Sequence, residues 1–347
     1  MLRSRETMSA AAEFQQLLRN DRPVLALAPM QDVTDLPFMA LMAEYGGADY
    51  YVTEYFRVTE TSRLDLAILR SITENPTGRP VSAQMIGNNI PALARTAREL
   101  QKYPIASVDL NLGCPAPVVY RKCAGGGLLR DLARVDGILG ALREVIEIPF
   151  SVKTRLGFDA IDGFDELLRI FAKHNLDLVT IHGRTVLQGY RGEVHYDLIG
   201  RAARELLCPV VANGNIDSAT RAEQVLESTG ARGLMLGRGA IRNPWLFDQI
   251  RARLSGEPIR RPTGREVLHY VRRLYDTTSP VGLDERKQVQ KMKKYLNFLG
   301  AGLDSSSEFL HDMRRASTEV ELFRICREHL DHDEPLTLEP VESAMAE

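Results

Sequence analysis

Short apolar runs recur through the first two-thirds of the chain, and nearly every one stops at a glycine or at a polar group able to bind something. They occupy residues 24–29, 49–54, 80–85, 107–111, 149–154, 177–181, 209–213 and 233–236. Helical patterns fill the intervals. Residues 131–147 carry Leu132, Val135, Ile138, Leu139, Leu142 and Ile146 on one stripe, the spacing of an amphipathic helix. Residues 162–175 and 217–230 follow the same logic. Thr34 and Asp35 can cap a helix that Gly46-Gly47 ends, and Pro91 opens another that runs to Lys102. Strands alternating with helices imply a parallel sheet, because each crossover must return the chain to the same end. Eight such units in about 250 residues predict an α/β fold, a closed (β/α)8 TIM barrel. The carboxyl ends of its strands share one face, which gathers Met30, Glu54, Gln84, Asn111, Lys153, His182, Asn213 and Arg238 at or near that face.

The pattern changes after Leu254. Residues 255–264, Ser-Gly-Glu-Pro-Ile-Arg-Arg-Pro-Thr-Gly, form the strongest punctuation in the chain. Beyond them residues 265–275, 284–299, 306–316 and 318–330 read as helices with no strand signal among them. The expected organisation is a catalytic barrel over 1–257, a small C-terminal helical bundle domain over 258–330, and a disordered acidic tail over 331–347.

Bulk composition narrows the class. A chain of 347 residues with 44% hydrophobic and 26% charged residues is ordinary for a soluble protein. No apolar run approaches the roughly 18 residues of a membrane helix. The opening stretch MLRSRETMSAAAEF lacks a continuous apolar segment, so no signal peptide is expected. Four scattered cysteines, Cys114, Cys123, Cys208 and Cys326, suit reduced thiols in a cytoplasmic protein. The net charge of −2 hides an asymmetry: residues 258–330 hold 14 Lys/Arg against 10 Asp/Glu, whereas the last 17 residues hold 6 acids and no base. The basic residues cluster at 260–273 and 286–294, which makes an anionic polymer a partner to consider.

Candidate chemistry follows the strand ends. Asn213-Gly214-Asn215 and Gly237-Arg238-Gly239 end the last two strands, where this fold commonly binds phosphate. Tight turns are the plainer alternative, but a turn does not need the guanidinium of Arg238. Lys153, in Val-Lys-Thr-Arg-Leu-Gly, must meet an anion, form a Schiff base or shed its proton if it lies inside the barrel. His182, in His-Gly-Arg-Thr, can donate to a phosphate or a ring carbonyl, and Gln84 offers an amide for a heterocycle edge. Asp109-Leu-Asn-Leu-Gly-Cys-Pro115 presents Cys114 on a loop after the fourth strand. A thiol with an ordinary pKa near 8.5 is mostly protonated at neutral pH and can donate a proton as well as attack. The following Ala124-Gly-Gly-Gly-Leu-Leu129 reads as a mobile loop able to close over a substrate. Cys114 and Cys123 lack metal-ligand spacing, and no metal is expected.

Taken together, Leu27-Ala-Pro-Met30 with Val33-Thr-Asp35, Gln84-x-x-Gly87, Asn111-Leu-Gly-Cys-Pro115, Val152-Lys-Thr-Arg-Leu-Gly157, His182-Gly-Arg-Thr185, Ala212-Asn-Gly-Asn215 and Gly237-Arg-Gly-Ala-x-x-Asn-Pro-Trp245 resemble the motif series of the tRNA-dihydrouridine synthases. The likeness runs in order from about residue 24 to residue 330. It implies a barrel that holds flavin mononucleotide (FMN) and reduces a uridine in tRNA to 5,6-dihydrouridine, with NADPH recharging the flavin. By the same resemblance Cys114 is the general acid that protonates C5 of the uracil while hydride reaches C6. Pro29, Met30, Gln31 and Gln84 would meet the isoalloxazine ring, and Lys153 its polar edge or the ribityl chain. His182, Asn213, Gly214, Asn215, Gly237 and Arg238 would lie toward the ribityl phosphate. Asn111 would hold the base or adjacent RNA, with Arg57, Arg155 and Arg184 facing the tRNA. Lys291, Lys293 and Lys294 would bind it from the helical domain. Within the family, Thr53-Glu-Tyr-Phe-Arg-Val58 and Gln188-Gly-Tyr-Arg191 look nearest the bacterial DusC type, associated with U16 of the D-loop, although Cys123-Ala-Gly-Gly-Gly127 blends features of several subfamilies.

Two other readings stay open at this point. An FMN-dependent dehydrogenase of a free pyrimidine, of the dihydroorotate kind, shares the barrel and its loops but has no need of a basic helical block. A non-redox phosphate-sugar barrel would use Lys153 as a Schiff base. The expected setting is a cytoplasmic monomer with no membrane partner.

Overall fold

The structure, a computed structural model, describes residues 8–279, 282, 284–303 and 307–340. Among these, two compact units are distinguished: residues 8–31, 49–214 and 224–235 in the first, and residues 32–48, 215–223 and 236–340 in the second.

The first unit carries the barrel. Its strands are β1 (Val24–Leu27), β2 (Tyr50–Val52), β3 (Phe56–Arg57), β4 (Val81–Ile86), β5 (Val108–Leu112), β6 (Phe150–Arg155), β7 (Leu178–His182), β8 (Val210–Asn213) and β9 (Gly233–Leu236). Every register is parallel, and β1 lies between β2 and β9. The ring closes where β2 pairs with β4, Tyr51 opposite Val81. All eight expected strands are present, and the (β/α)8 TIM barrel is the fold. β3 is an addition. It resumes the line of β2 after a break at residues 53–55 and pairs Phe56 with Met85 at the far end of β4. Two residues are too few to show a period, so the sequence pattern could not reveal it.

An apolar cluster packs the barrel against the first helix. Val24, Ala26, Tyr50, Val52, Ala106, Leu178, Val211 and Met235 form one buried cluster with Phe14 and Leu18 from the helix Ala10–Arg19. The Phe14 ring is fully buried and meets Tyr50 edge-on at 5.0 Å between centroids, a favoured aromatic geometry. The guanidinium of Arg232 donates to the carbonyls of Leu17, Leu18, Asn20 and Arg22. Leu17 and Leu18 are in the last turn, whose carbonyls the helix leaves unpaired, and Asn20 and Arg22 belong to the chain that follows it. Periodicity did not single out this helix, because its few apolar positions only acquire meaning against the barrel floor.

The second unit is helical. The four helices expected after the linker are Gly264–Thr278, Glu285–Gly300, Glu308–Arg315 and Glu319–Leu330. The first starts with a reciprocal capping box between Thr263 and Glu266. The helix Leu36–Glu44, which follows β1 in sequence, belongs to this unit. Phe38 stacks on Tyr295 at 5.6 Å, the Tyr295 hydroxyl donates to the Val33 carbonyl at 3.0 Å, and Arg273 pairs with Glu44 at 2.6 Å. The unit is therefore assembled from three stretches of sequence, whereas the linker composition suggests one cut at residue 257.

The expected acidic tail is only partly a tail. Residues 331–340 run along the start of the helix Gly264–Thr278: Leu336 N–H donates to the Pro262 carbonyl at 2.8 Å, and Thr263 bridges to Pro335. Asp331 and Asp333 both pair with Arg265, and Leu338 is fully buried. Asp331 and Asp333 stay exposed to solvent, as composition predicts, while also pairing with a cation within the fold. Residues 341–347 lie outside the described residues. Among the described residues no helix is long and apolar enough to cross a membrane.

Truncating Phe14 to alanine should cost about 3–5 kcal/mol, the usual range for a buried aromatic. The urea midpoint of Phe14→Ala against wild type measures it. An unchanged midpoint would mean that the helix does not plug the barrel.

Candidate active site

Above the apolar floor the barrel lining turns polar, and strand register decides which groups meet. Gln84 lies opposite Asp109, Asp109 opposite Ser151, and Asn111 opposite Lys153. Asp109 is 4% exposed; its Oδ1 accepts from the Ser151 hydroxyl at 2.6 Å and its Oδ2 from Gln84 Nε2 at 2.8 Å. Gln84 Oε1 accepts from Asn111 Nδ2 at 2.8 Å. Asn111 Oδ1 then accepts the backbone N–H groups of Gly113 and Cys114 at 3.0 and 2.9 Å. An asparagine side chain closing such a turn on its own following backbone is a recurrent local motif. Here it shapes the loop that presents Cys114.

Lys153 stands beside this chain. Its Nζ donates to Asn213 Oδ1 at 3.2 Å, and Asn213 Nδ2 donates to the Met235 carbonyl at 2.7 Å, so the amide orientation is set from both sides. Burial pushes Lys153 down to about 8, and nearby Arg155 pushes the same way, while Asp109 and Cys114 oppose the shift. Burial pushes Asp109 up to about 6, against the hydrogen bonds from Ser151 and Gln84 and the charge of Lys153. Both groups are thus moved toward neutrality from opposite ends. Burial also raises the Cys114 thiol, with Lys153, Arg155 and Arg57 pulling it down. The thiol therefore keeps its proton at neutral pH and is equipped to donate it.

The glycine run after Cys114 is not a loose lid. Gly125–Arg130 forms a 3-10 helix whose residues 125–129 are buried. Gly126 N–H donates to the Cys114 carbonyl at 3.3 Å, and a Cβ on Gly126 would come within 2.8 Å of that oxygen. Close approach, not mobility, explains the glycine there.

Two arginines expected to face RNA are buried instead. Arg155 is 3% exposed and donates to the carbonyls of Gly113, Thr185 and Gly189 at 3.0, 2.9 and 2.7 Å. Arg184 is 1% exposed and donates to the Gly192 carbonyl at 3.0 Å through Nε. Three loop carbonyls facing inward need donors, and Arg155 supplies them; it thereby joins the Cys114 loop to the loop after β7. Arg57, on β3, is exposed. His182 ends β7, and its ring meets Tyr190 edge-on at 6.4 Å; Tyr190 is 53% exposed and also lies 5.6 Å from the Arg155 guanidinium. Gly214 follows β8 with φ +123°, a backbone state that side chains disfavour. Pro29 and Met30, directly after β1, are half-buried and Gln31 is exposed.

The structure thus brings Gln84, Asn111, Cys114, Lys153, Arg155 and Asn213 into one connected set. Asp109 completes it. That residue stands two positions before the Asn-x-x-Cys-Pro motif, and only the register shows that it faces inward.

The remaining expected residues belong to the second unit. Arg238 Nη2 donates to Asn215 Oδ1 at 3.1 Å, and Gly237 precedes the short helix Arg238–Arg242. Lys291 pairs with Asp35 at 3.1 Å, and Lys293 donates to the Arg314 carbonyl at 2.8 Å. Lys294 is exposed. Two of the three lysines are thus engaged within the unit.

The family model described as dihydrouridine synthase (Dus) matches residues 26–333. The chain belongs to the dihydrouridine synthase family. A tRNA-dihydrouridine synthase B of Pseudomonas putida is 36% identical over 270 residues, covering 75% of this chain and 77% of that protein. A tRNA-dihydrouridine(16) synthase of Neisseria meningitidis is 28% identical over 309 residues, covering 87% of this chain and 93% of that protein. Among solved structures, histamine dehydrogenase from Rhizobium sp. 4-9 superposes with a TM-score of 0.53 at 12% identity, over 76% of this chain and 51% of that one. That likeness concerns the fold alone.

The raised carboxyl of Asp109 has a measurable signature. Below pH 3.8 Asp109 is protonated in folded and unfolded chains alike; between 3.8 and about 6 only the folded chain keeps the proton. Its favourable contribution is therefore present at low pH and lost as pH rises through about 6, an effect of roughly 3 kcal/mol. Urea unfolding of wild type and Asp109→Asn should show their stability difference moving in the variant's favour by about that amount from pH 4 to pH 7. A constant difference would mean that Asp109 titrates normally.

Proposed function

We propose that this chain reduces a uridine of tRNA to 5,6-dihydrouridine, with FMN as its resident cofactor and NADPH as the reductant. The observation that carries the reading is a thiol on a built loop: Asn111 Oδ1 accepts the Cys114 backbone N–H at 2.9 Å and holds the thiol within the field of the Lys153 ammonium. Family membership gives that thiol its reaction.

The barrel residues suit a flavin chemically. Lys153 offers a cation in a part-buried setting, Asn213 offers an amide oriented from both sides, and Gly214 follows β8 in a backbone state suited to glycine. Lys153, His182, Asn213 and Gly214 would hold the cofactor, with Pro29 and Met30 against its ring. When bound, FMN supplies a hydride for C6 of the uracil. Cys114 delivers the proton to C5, so that hydride and proton together saturate the 5,6 double bond. Desolvation keeps the thiol protonated until the substrate arrives, and Lys153, Arg155 and Arg57 favour the thiolate once the proton has left. Tyr190, exposed over His182, offers a surface on which a base can stack. A uridine within folded tRNA must leave its stack to reach such a pocket, which costs a few kcal/mol. Phosphate contacts from the basic helices, Lys294 among them, would offset that cost. A cytoplasmic monomer belongs to the same reading.

The decisive experiment follows the visible spectrum of the purified protein as NADPH is added without oxygen, then unmodified tRNA. Yellow protein that bleaches and is reoxidised by tRNA supports the proposal. Reoxidation by a free pyrimidine but not by tRNA would favour the small-molecule dehydrogenase, and protein that takes up no flavin would defeat both. Cys114→Ala should retain flavin and lose dihydrouridine formation by at least about a hundredfold; full turnover would remove Cys114 from the mechanism. Lys294→Ala should weaken tRNA binding and lower the salt dependence of log Kd by roughly one phosphate contact. An unaltered slope would take Lys294 off the RNA surface.

A further inference from the structure

Two ends of the polar chain in the barrel have a fixed hydrogen-bonding sense. An ionised carboxylate, Asp109, can only accept, and the backbone N–H groups of Gly113 and Cys114 can only donate. Between them stand two side-chain amides, each with one accepting and one donating end. The contacts run Gln84 Nε2 to Asp109 Oδ2 at 2.8 Å, Asn111 Nδ2 to Gln84 Oε1 at 2.8 Å, and the Gly113 and Cys114 N–H groups to Asn111 Oδ1 at 3.0 and 2.9 Å. Only one orientation of the two amides satisfies all four contacts. Turning Gln84 over would set its carbonyl against the carboxylate and its NH2 against the NH2 of Asn111. Gln84 is fully buried and Asp109 and Asn111 are 4% and 8% exposed, so water has little access to repair a mismatch.

We propose that Asp109 is a positioning residue that, through Gln84 and Asn111, fixes the backbone turn presenting Cys114. Its acceptor oxygen sets the sense of the relay, and the relay sets which end of Asn111 faces the loop. Ser151 donates to its other oxygen and keeps the carboxylate from rotating. Lys153 contributes charge to Asp109, so a charge effect and an acceptor effect must be separated by experiment. The value of a fixed turn to catalysis rests on Cys114 being the proton donor; the relay itself does not.

The test is residue-resolved hydrogen–deuterium exchange of the Gly113 and Cys114 amides in the purified full-length protein, with no tRNA or NADPH added. Asn111→Ala removes the acceptor directly and calibrates the response, expected to be roughly fivefold faster exchange or more. Gln84→Leu and Asp109→Leu should reproduce most of that acceleration. Asp109→Asn keeps an oxygen for Gln84 Nε2 while removing the charge, and should stay within about twofold of wild type. Exchange in Gln84→Leu that matches wild type while Asn111→Ala accelerates would overturn the relay. Acceleration in Asp109→Asn equal to that in Asp109→Leu would overturn it too, by assigning the effect to charge beside Lys153. Should Asp109→Leu fail to fold, Gln84→Leu and Asp109→Asn still decide. Dihydrouridine formation by Cys114→Ala is scored separately, so a failed relay and a failed functional reading leave different results.

Discussion

A carboxylate placed inside a barrel has to be given donors, and the arrangement around Asp109 follows from that requirement. Its two oxygens take a serine hydroxyl and a glutamine amide. The glutamine then needs a donor for its own oxygen, and the asparagine that answers it has one acceptor left for the backbone beyond β5. Each step is forced by the step before it, because unpaired polar groups at this depth cost more than the net gain of an average hydrogen bond. The loop carrying Cys114 is the last link. Its geometry is decided in the interior of the barrel, three side chains away.

The barrel is accordingly two materials in one fold. One part is a packed apolar cluster covered by Phe14, with the covering helix braced by Arg232. The other is a polar lining that holds a lysine and an aspartate whose charges are both disfavoured by burial. Such tension is expected where preorganised charge serves a reaction. Arg155 shows how the tension is contained: a buried guanidinium is satisfied by three loop carbonyls and links the loops after β5 and β7.

What could be read from the sequence was whatever has a period or a motif. The eight strands are short uniform apolar runs, the later helices carry clear stripes, and Cys114, Lys153, His182 and Asn213 sit where strands stop. Other features depend on partners that no local pattern reveals. Arg155 and Arg184 look like surface arginines until inward-facing carbonyls are seen around them. Gly126 reads as flexible until the Cys114 carbonyl is found against it. Asp331 and Asp333 are solvated as composition suggests, but their pairing with Arg265 carries no sequence signal. Asp109 reads as a strand residue ahead of a motif, and only register turns it into the origin of a relay.

The helix Leu36–Glu44 sets a limit on modularity. It follows the first barrel strand, yet Phe38 stacks on Tyr295 and Glu44 pairs with Arg273, both from helices far along the chain. The helical unit is therefore not a cassette that can be cut at residue 257 and grafted elsewhere. Its hydrophobic seam is completed by sequence contributed before the barrel is built, so exchange of this unit between relatives requires carrying residues 32–48 with it. A change that arises in the C-terminal helices must stay compatible with a helix encoded near the other end of the chain.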